Sequence, residues 1–220
     1  DVYKRQAYYQ VVEKWSIDSY GDAPEASLFS RVAFTYDPYQ LAVTAVTRYL
    51  QPDVSFQTQM LTDLHTMKPC QIIDENHNIH VNLLDALGRP LASTRYGQLR
   101  KQAIGNPLTA AATPLTISEL SQMTYELIQV LGAISMDSLA AANTSLDRWL
   151  EIYRYSVDTQ PRSTVTRLQS GYQRPTLSIA PAAQPIRLQI TYADSLGRPL
   201  QTKQYTGEAS MNKKWLHSGT

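Results

Sequence analysis

A single cysteine, three phenylalanines and a charged fraction of only 18% set the first limits on this 220-residue chain. Cys70, being alone, excludes an internal disulfide framework and any cysteine-based zinc site. Lys and Arg number 20 against 19 Asp and Glu, so a net charge of +1 supplies no field to draw in a nucleic-acid backbone or an anionic membrane. The longest charge-free apolar stretch, around Leu127–Met136, is about half of what a membrane span needs. No charged segment followed by an apolar run opens the chain, and no glycine-rich phosphate loop or nucleophile elbow occurs along it.

What is present is tyrosine, 14 of them, in a chain that is 43% hydrophobic and long enough to bury a sizeable core. Tyrosine suits half-buried strands, where the ring packs flat and the hydroxyl reaches water. Residues 7–20, Arg31–Tyr36, Tyr39–Leu50, Cys70–Ile73, Ile79–Leu84, Arg89–Tyr96, Arg187–Tyr192 and Leu200–Tyr205 read as strands. Gly21–Pro24, Asp37-Pro38 and the string Asp74-Glu75-Asn76-His77-Asn78 read as turns, and 51–56 as a loop before a further strand over 57–66. Between the strand-rich parts, Asn106–Thr116 is a polar linker, after which Ile117, Leu120, Met123, Leu127, Ile128 and Leu131 recur at helical spacing. Thr116-Ile117-Ser118-Glu119 has the form of a capping box. A second helix is expected over Asp137–Tyr153 from the stripe Leu139, Ala142, Leu146, Trp149, Leu150 and Tyr153, with Gln160-Pro161-Arg162 as its exit.

The most informative feature is a repeat. Asp85-Ala86-Leu87-Gly88-Arg89-Pro90-Leu91 returns as Asp194-Ser195-Leu196-Gly197-Arg198-Pro199-Leu200, changed only at Ala86 against Ser195. Such a string makes a hairpin: the Asp accepts amide hydrogen bonds from residues after it, and the Gly takes the positive φ that other residues resist. Leu87 and Leu196 are expected to pack each turn against a neighbouring layer, while Arg89 and Arg198 begin the outgoing strand. The proline that follows removes one ladder donor, which places it outward or at a strand edge. Repeated hairpins that bury one face against their neighbours describe a stacked or spiralling sheet.

These residues resemble the YD (Rhs) repeats of polymorphic toxins, and in detail the B component of the ABC-type (Tc) insecticidal toxin complexes. The likeness rests on Phe34-Thr35-Tyr36-Asp37-Pro38-Tyr39, on Met67-Lys68-Pro69-Cys70-Gln71-Ile72-Ile73-Asp74-Glu75-Asn76-His77-Asn78, and on Leu84-Asp85-Ala86-Leu87-Gly88-Arg89. It resumes at Tyr192-Ala193-Asp194-Ser195-Leu196-Gly197-Arg198-Pro199-Leu200-Gln201-Thr202-Lys203, where Ser195 stands in place of the family's first glycine. The resemblance covers 29–97 and 188–215 and leaves the helical middle unassigned. It implies a mainly β fold of stacked antiparallel hairpins forming part of a spiral β-shell, with an α-helical insertion. The implied job is structural: together with a C component the shell encloses a toxic effector, and a pore-forming A component receives it through regions outside these residues. Secretion as part of a bacterial virulence complex goes with that reading. A YD-repeat cell-surface protein that adheres to cells or binds glycans is the alternative.

The same resemblance divides the chain into a β-shell segment over 7–105, a helical insertion over 106–160 and a second, truncated β-shell segment over 161–220. Asp1-Val2-Tyr3-Lys4-Arg5-Gln6 resembles the translation of a transposase adapter from sequencing libraries, which makes 1–6 an expected assembly scar on a fragment of something longer. Catalytic readings fare worse than plain ones. His77 and His80 with Asp74 and Glu75 have metal-binding side chains, but an i, i+3 pair on a strand points to opposite faces. Cys70 with His65 or His80 lacks the setting that lowers a thiol pKa, and a buried small hydrophobe fits it better. Asp85 and Asp194 form a possible acid–base pair, yet each sits in the same turn signature, which explains both. Trp149 and the leucine stripe suit packing on the sheet better than capture of a partner helix. The expectation is a non-catalytic chain with no cofactor, no metal, no nucleic-acid partner and no membrane contact of its own.

Overall fold

The computed structural model describes residues 2–5, 10–18, 28–51, 53–99, 102–104, 108, 113–135, 138–139, 145–156, 162–169, 186–205 and 215–219. It falls into two compact units, 1–80 and 81–220. The class is the one the sequence indicates: mainly β, built of antiparallel hairpins in chain order, with an α-helical insertion.

The first unit is a meander of β1 (Val2–Arg5), β2 (Val11–Asp18), β3 (Leu28–Tyr36), β4 (Val43–Gln51), β5 (Val54–Asp63) and β6 (Lys68–Ile73), each antiparallel to the one before. Trp15, Arg31 and Tyr49 are direct cross-strand partners on β2, β3 and β4. The Arg31 guanidinium lies 5.2 Å from the Trp15 ring and 4.5 Å from the Tyr49 ring, and its Nη2 meets Glu13 at 2.7 Å. Each such cation–π contact contributes about 0.5–1 kcal/mol at a partly exposed site, and together they hold the register of three strands. The sequence reading of 51–56 as a loop is corrected: β4 runs to Gln51 and β5 begins at Val54. A tight connection suffices because Val54, Ser55 and Phe56 already alternate as strand residues.

β7 (Ile79–Leu84) carries the chain into the second unit, where β8 (Pro90–Leu99), β10 (Glu151–Ser156), β11 (Arg162–Gln169), β12 (Ile186–Ala193), β13 (Pro199–Tyr205) and β14 (Trp215–Gly219) follow in order, and β9 (Gln102–Ile104) pairs with β8. Ala92, Ile152, Arg167 and Leu188 stand in one cross-strand row over β8, β10, β11 and β12, and all are buried. Burying an aliphatic side chain of this size contributes about 1.5–3 kcal/mol, so Ile152 and Leu188 anchor this face.

The helix α1 (Ile117–Ala133) starts at Thr116 with the capping box in place: Thr116 Oγ1 accepts from the Glu119 amide at 3.3 Å, and the Thr116 amide donates to Glu119 at 2.7 Å. Leu120, Leu127 and Leu131 are its buried stripe. Among the described residues no helix is long and apolar enough to cross a membrane. The second helix expected over Asp137–Tyr153 is corrected. Ser138 and Leu139 are helical, 145–148 form a turn, and Glu151–Tyr153 belong to β10; 137 and 140–144 lie outside the described residues. The stripe misled because Leu139, Leu146 and Trp149 are all buried, which irregular chain over a sheet achieves as well as a helix does. Gly21–Pro24 and most of the 106–116 linker also lie outside the described residues.

Candidate functional site: a repeated aspartate turn

Three hairpin turns share one hydrogen-bond pattern. In Asp85–Arg89 the Asp85 amide donates to the Arg89 carbonyl at 2.9 Å and the Gly88 amide to the Asp85 carbonyl at 2.8 Å. Asp85 Oδ1 accepts from the amides of Leu87 at 2.9 Å and Arg89 at 2.8 Å, and Oδ2 accepts from Arg89 Nε at 2.7 Å. Asp194–Arg198 repeats each bond, with 2.9 Å to the Leu196 and Arg198 amides and 2.7 Å to Arg198 Nε. Asp74–Asn78 does the same with other residues. Asp74 Oδ1 accepts from the Asn76 and Asn78 amides at 2.8 Å, and Asn78 Nδ2 stands where the arginine Nε stands elsewhere, 3.0 Å from Oδ2.

The fourth position of each turn has positive φ: 72° at Gly88, 81° at Gly197 and 60° at His77. Asp37 builds a longer relative. Its Oδ1 accepts from Leu41 and Ala42 at 2.7 Å, its amide donates to the Ala42 carbonyl, and Gln40 takes φ 62° at the same fourth position. One carboxylate thus fastens both strands of a hairpin, a stronger tie than a neutral turn because each bond is charge-assisted.

The carboxyls respond accordingly. Burial pushes the Asp85 pKa up, but hydrogen bonds from the Arg89 amide and guanidinium and the Leu87 amide outweigh it and hold the group below the ordinary range. At Asp74 burial is likewise outweighed by the Asn78 side chain and amide. The Arg198 amide is the main cause of the lowering at Asp194, as the Ala42 amide is at Asp37. Both oxygens of each carboxylate are hydrogen-bonded within its own turn, which lowers its basicity.

Leu87 and Leu196, expected to pack against a neighbouring layer, are 76% and 77% exposed in this chain. Each sits at the third position of its turn, beyond the last cross-strand pair, where the hairpin itself offers nothing to cover it. Pro90 and Pro199 open β8 and β13, and Arg89 stacks 4.3 Å over the Tyr155 ring.

The other candidates are dispersed. His80 Nε2 lies 3.6 Å from Asp74 Oδ2, while Glu75 faces Arg48 at 3.8 Å. His77 holds the strained turn position. The Asp63 carboxylate accepts from the His65 amide at 3.0 Å. Cys70 is buried with its Sγ donating to the Leu61 carbonyl at 3.1 Å, and burial pushes its thiol pKa up. Among the described residues no three His, Cys, Asp or Glu side chains are grouped to hold a metal ion.

Sequence reasoning missed Arg167. It is fully buried on β11, with Nε 3.1 Å from the Leu139 carbonyl, Nη1 3.4 Å from the Leu146 carbonyl and Nη2 2.5 Å from Asp147 Oδ1. Its signal was the alternation Ser163-Thr164-Val165-Thr166-Arg167, a strand pattern disguised by a cation on the inward face.

No family model matches the sequence, and no curated protein does. Solved structures resemble it, among them the following two. A crystal structure of TcdB2-TccC3 is similar at a TM-score of 0.52 and 19% identity over 85% of this chain and 8% of that one. A crystal structure of TcdB2-TccC3-TEV is similar at a TM-score of 0.45 and 15% identity, over 93% of this chain and 13% of that one. The chain therefore has the fold of a short stretch of TcdB2-TccC3, a small share of that chain's length.

Proposed function

We propose that this chain is a non-catalytic wall segment of a Tc-type toxin shell, secreted as part of the complex. With a C component it encloses a cytotoxic effector, and a pore-forming A component takes delivery through other parts of the assembly. The observation that carries the reading is the TcdB2-TccC3-like fold built on a recurring aspartate turn, in which each carboxylate is hydrogen-bonded by the backbone and side chain of its own turn. In this reading Asp85, Leu87, Gly88, Arg89, Asp194, Leu196, Gly197 and Arg198 are repeat-turn residues of the wall. The proposed boundaries are 7–105 and 161–220 for shell and 106–160 for the insertion, whose last part, β10, joins the sheet.

The test is protease protection of the effector, with cell killing, in an assembled complex carrying this segment. Gly88→Val together with Gly197→Val should expose the effector and reduce killing. Cys70→Ala, Glu75→Gln and His80→Gln should leave both unchanged. A His80 or Cys70 variant that assembles and retains its effector yet no longer kills would contradict the structural role.

A further inference from the structure

The outer surface of α1 carries an apolar stripe. Ile117, Ser121, Tyr125, Ile128 and Gly132 follow one another at intervals of four, four, three and four residues, the spacing of a single helix face. All five are exposed, Tyr125 at 61%, and the buried stripe Leu120, Leu127 and Leu131 runs beside them. The only charges on α1, Glu119 and Glu126, lie on the other side of the helix, where Glu119 closes the capping box and Glu126 accepts from Gln122. Thr124, next to the stripe, donates its hydroxyl to the Leu120 carbonyl at 2.8 Å.

Gly132 is a separate observation. It stands inside the helix, where glycine is destabilising relative to alanine, and it is not at the positive φ of a terminating cap. A Cβ at this position would meet nothing within 4 Å. Neither the backbone nor a described neighbour in the chain calls for a glycine here, but a bulky side chain arriving from outside would.

The order of large and small residues along the stripe is complementary to its own reverse. With a second copy laid antiparallel and centred between Thr124 and Tyr125, Ile117 comes opposite Gly132 of the second copy and Ser121 opposite Ile128, while the two Tyr125 rings flank the centre. A parallel pair would set Ile117 on Ile117 and Gly132 on Gly132, bulk on bulk and gap on gap, with like ends of the helix dipoles together. We infer that this face of α1 is a homodimer surface, occupied by the same face of a second copy running antiparallel. The stripe is free of charge, so two copies do not repel, whereas a charged partner would find no counterpart on it. Two such stripes bury on the order of 800–1,000 Å² together, the small end of specific interfaces, which makes the dimer a weak one. The association is independent of the wall role.

Sedimentation equilibrium of the 220-residue chain tests this. A monomer–dimer equilibrium with a Kd on the order of 10 μM is expected. Ser121→Lys and Ile128→Glu should each weaken it about tenfold or more, with the circular dichroism of the chain unchanged, because each places an unpaired charge in the contact. Gly132→Leu fills the notch with a good helix former and should weaken it likewise. An equimolar mixture of the Ser121→Lys and Ile128→Glu chains should recover a dimer that neither forms alone. The antiparallel register sets the new ammonium against the new carboxylate, and a parallel one does not. A chain that stays monomeric up to about 200 μM, association unchanged in the single variants, or a mixture that fails to recover would overturn the inference.

Discussion

His77 occupies in its turn the position that Gly88 and Gly197 occupy in theirs, with φ of 60° against 72° and 81°. The aspartate at the head of each turn imposes that geometry whatever residue has to adopt it. A side chain at positive φ costs about 1 kcal/mol where glycine costs little, so the three turns are unequally strained.

His77→Gly is therefore expected to stabilise the chain by about 0.5–1 kcal/mol, and Gly88→Ala and Gly197→Ala to destabilise it by about 1–2 kcal/mol. At Gly197 the whole penalty is conformational, since an added Cβ meets nothing within 4 Å. Urea midpoints at constant slope measure all three. Stabilisation by Gly197→Ala would remove the shared-turn argument.

Acid should loosen the hairpins. Their turns hold the Asp74 and Asp85 carboxyls below the ordinary carboxylate value of 3.8. A depressed carboxyl contributes stability that is fully present above the unfolded pKa and is lost as pH falls through the folded one. Urea midpoints should hold steady at pH 5–7 and fall below about pH 4. Asp85→Asn should lower the neutral-pH midpoint and flatten the acid limb; an unchanged acid limb would show that the carboxylate does not carry the turn.

Arg167 is the test of the segment laid over the sheet. Arg167→Ala takes away the donor to the Leu139 and Leu146 carbonyls and the ion pair to Asp147, and should cost about 3 kcal/mol. Arg167→Lys should recover only part, because a single ammonium does not reproduce three directed donors. Hydrogen exchange of the Leu139 and Trp149 amides, which donate to Ser135 and Leu146, should quicken in both variants ahead of global unfolding. Unchanged exchange at both amides would place the anchor elsewhere.

The turns were the legible part of the sequence, because Asp, Gly and Pro act locally and Asp85–Leu91 is written twice. The capping box at Thr116 was legible for the same reason. Asp74–Asn78 was readable as a turn but not as the same turn, since His77 and Asn78 stand where the repeat has Gly and Arg. Exposure of Leu87 and Leu196 was not legible, because a leucine at a turn tip does not say what lies beyond it. β10 and β11 went unread for a nonlocal reason: the inward face of β11 carries Arg167, whose partners arrive from 20 to 28 residues earlier in the chain.

The central claim is that these hairpins wall in an effector. The most direct measurement is a cryo-electron microscopy map of the assembled complex that contains this segment. The account predicts that the β2–β6 and β10–β13 strands form part of a closed wall with density for the effector inside. A map in which these strands lie on the outside of an assembly with no enclosed cavity would contradict it.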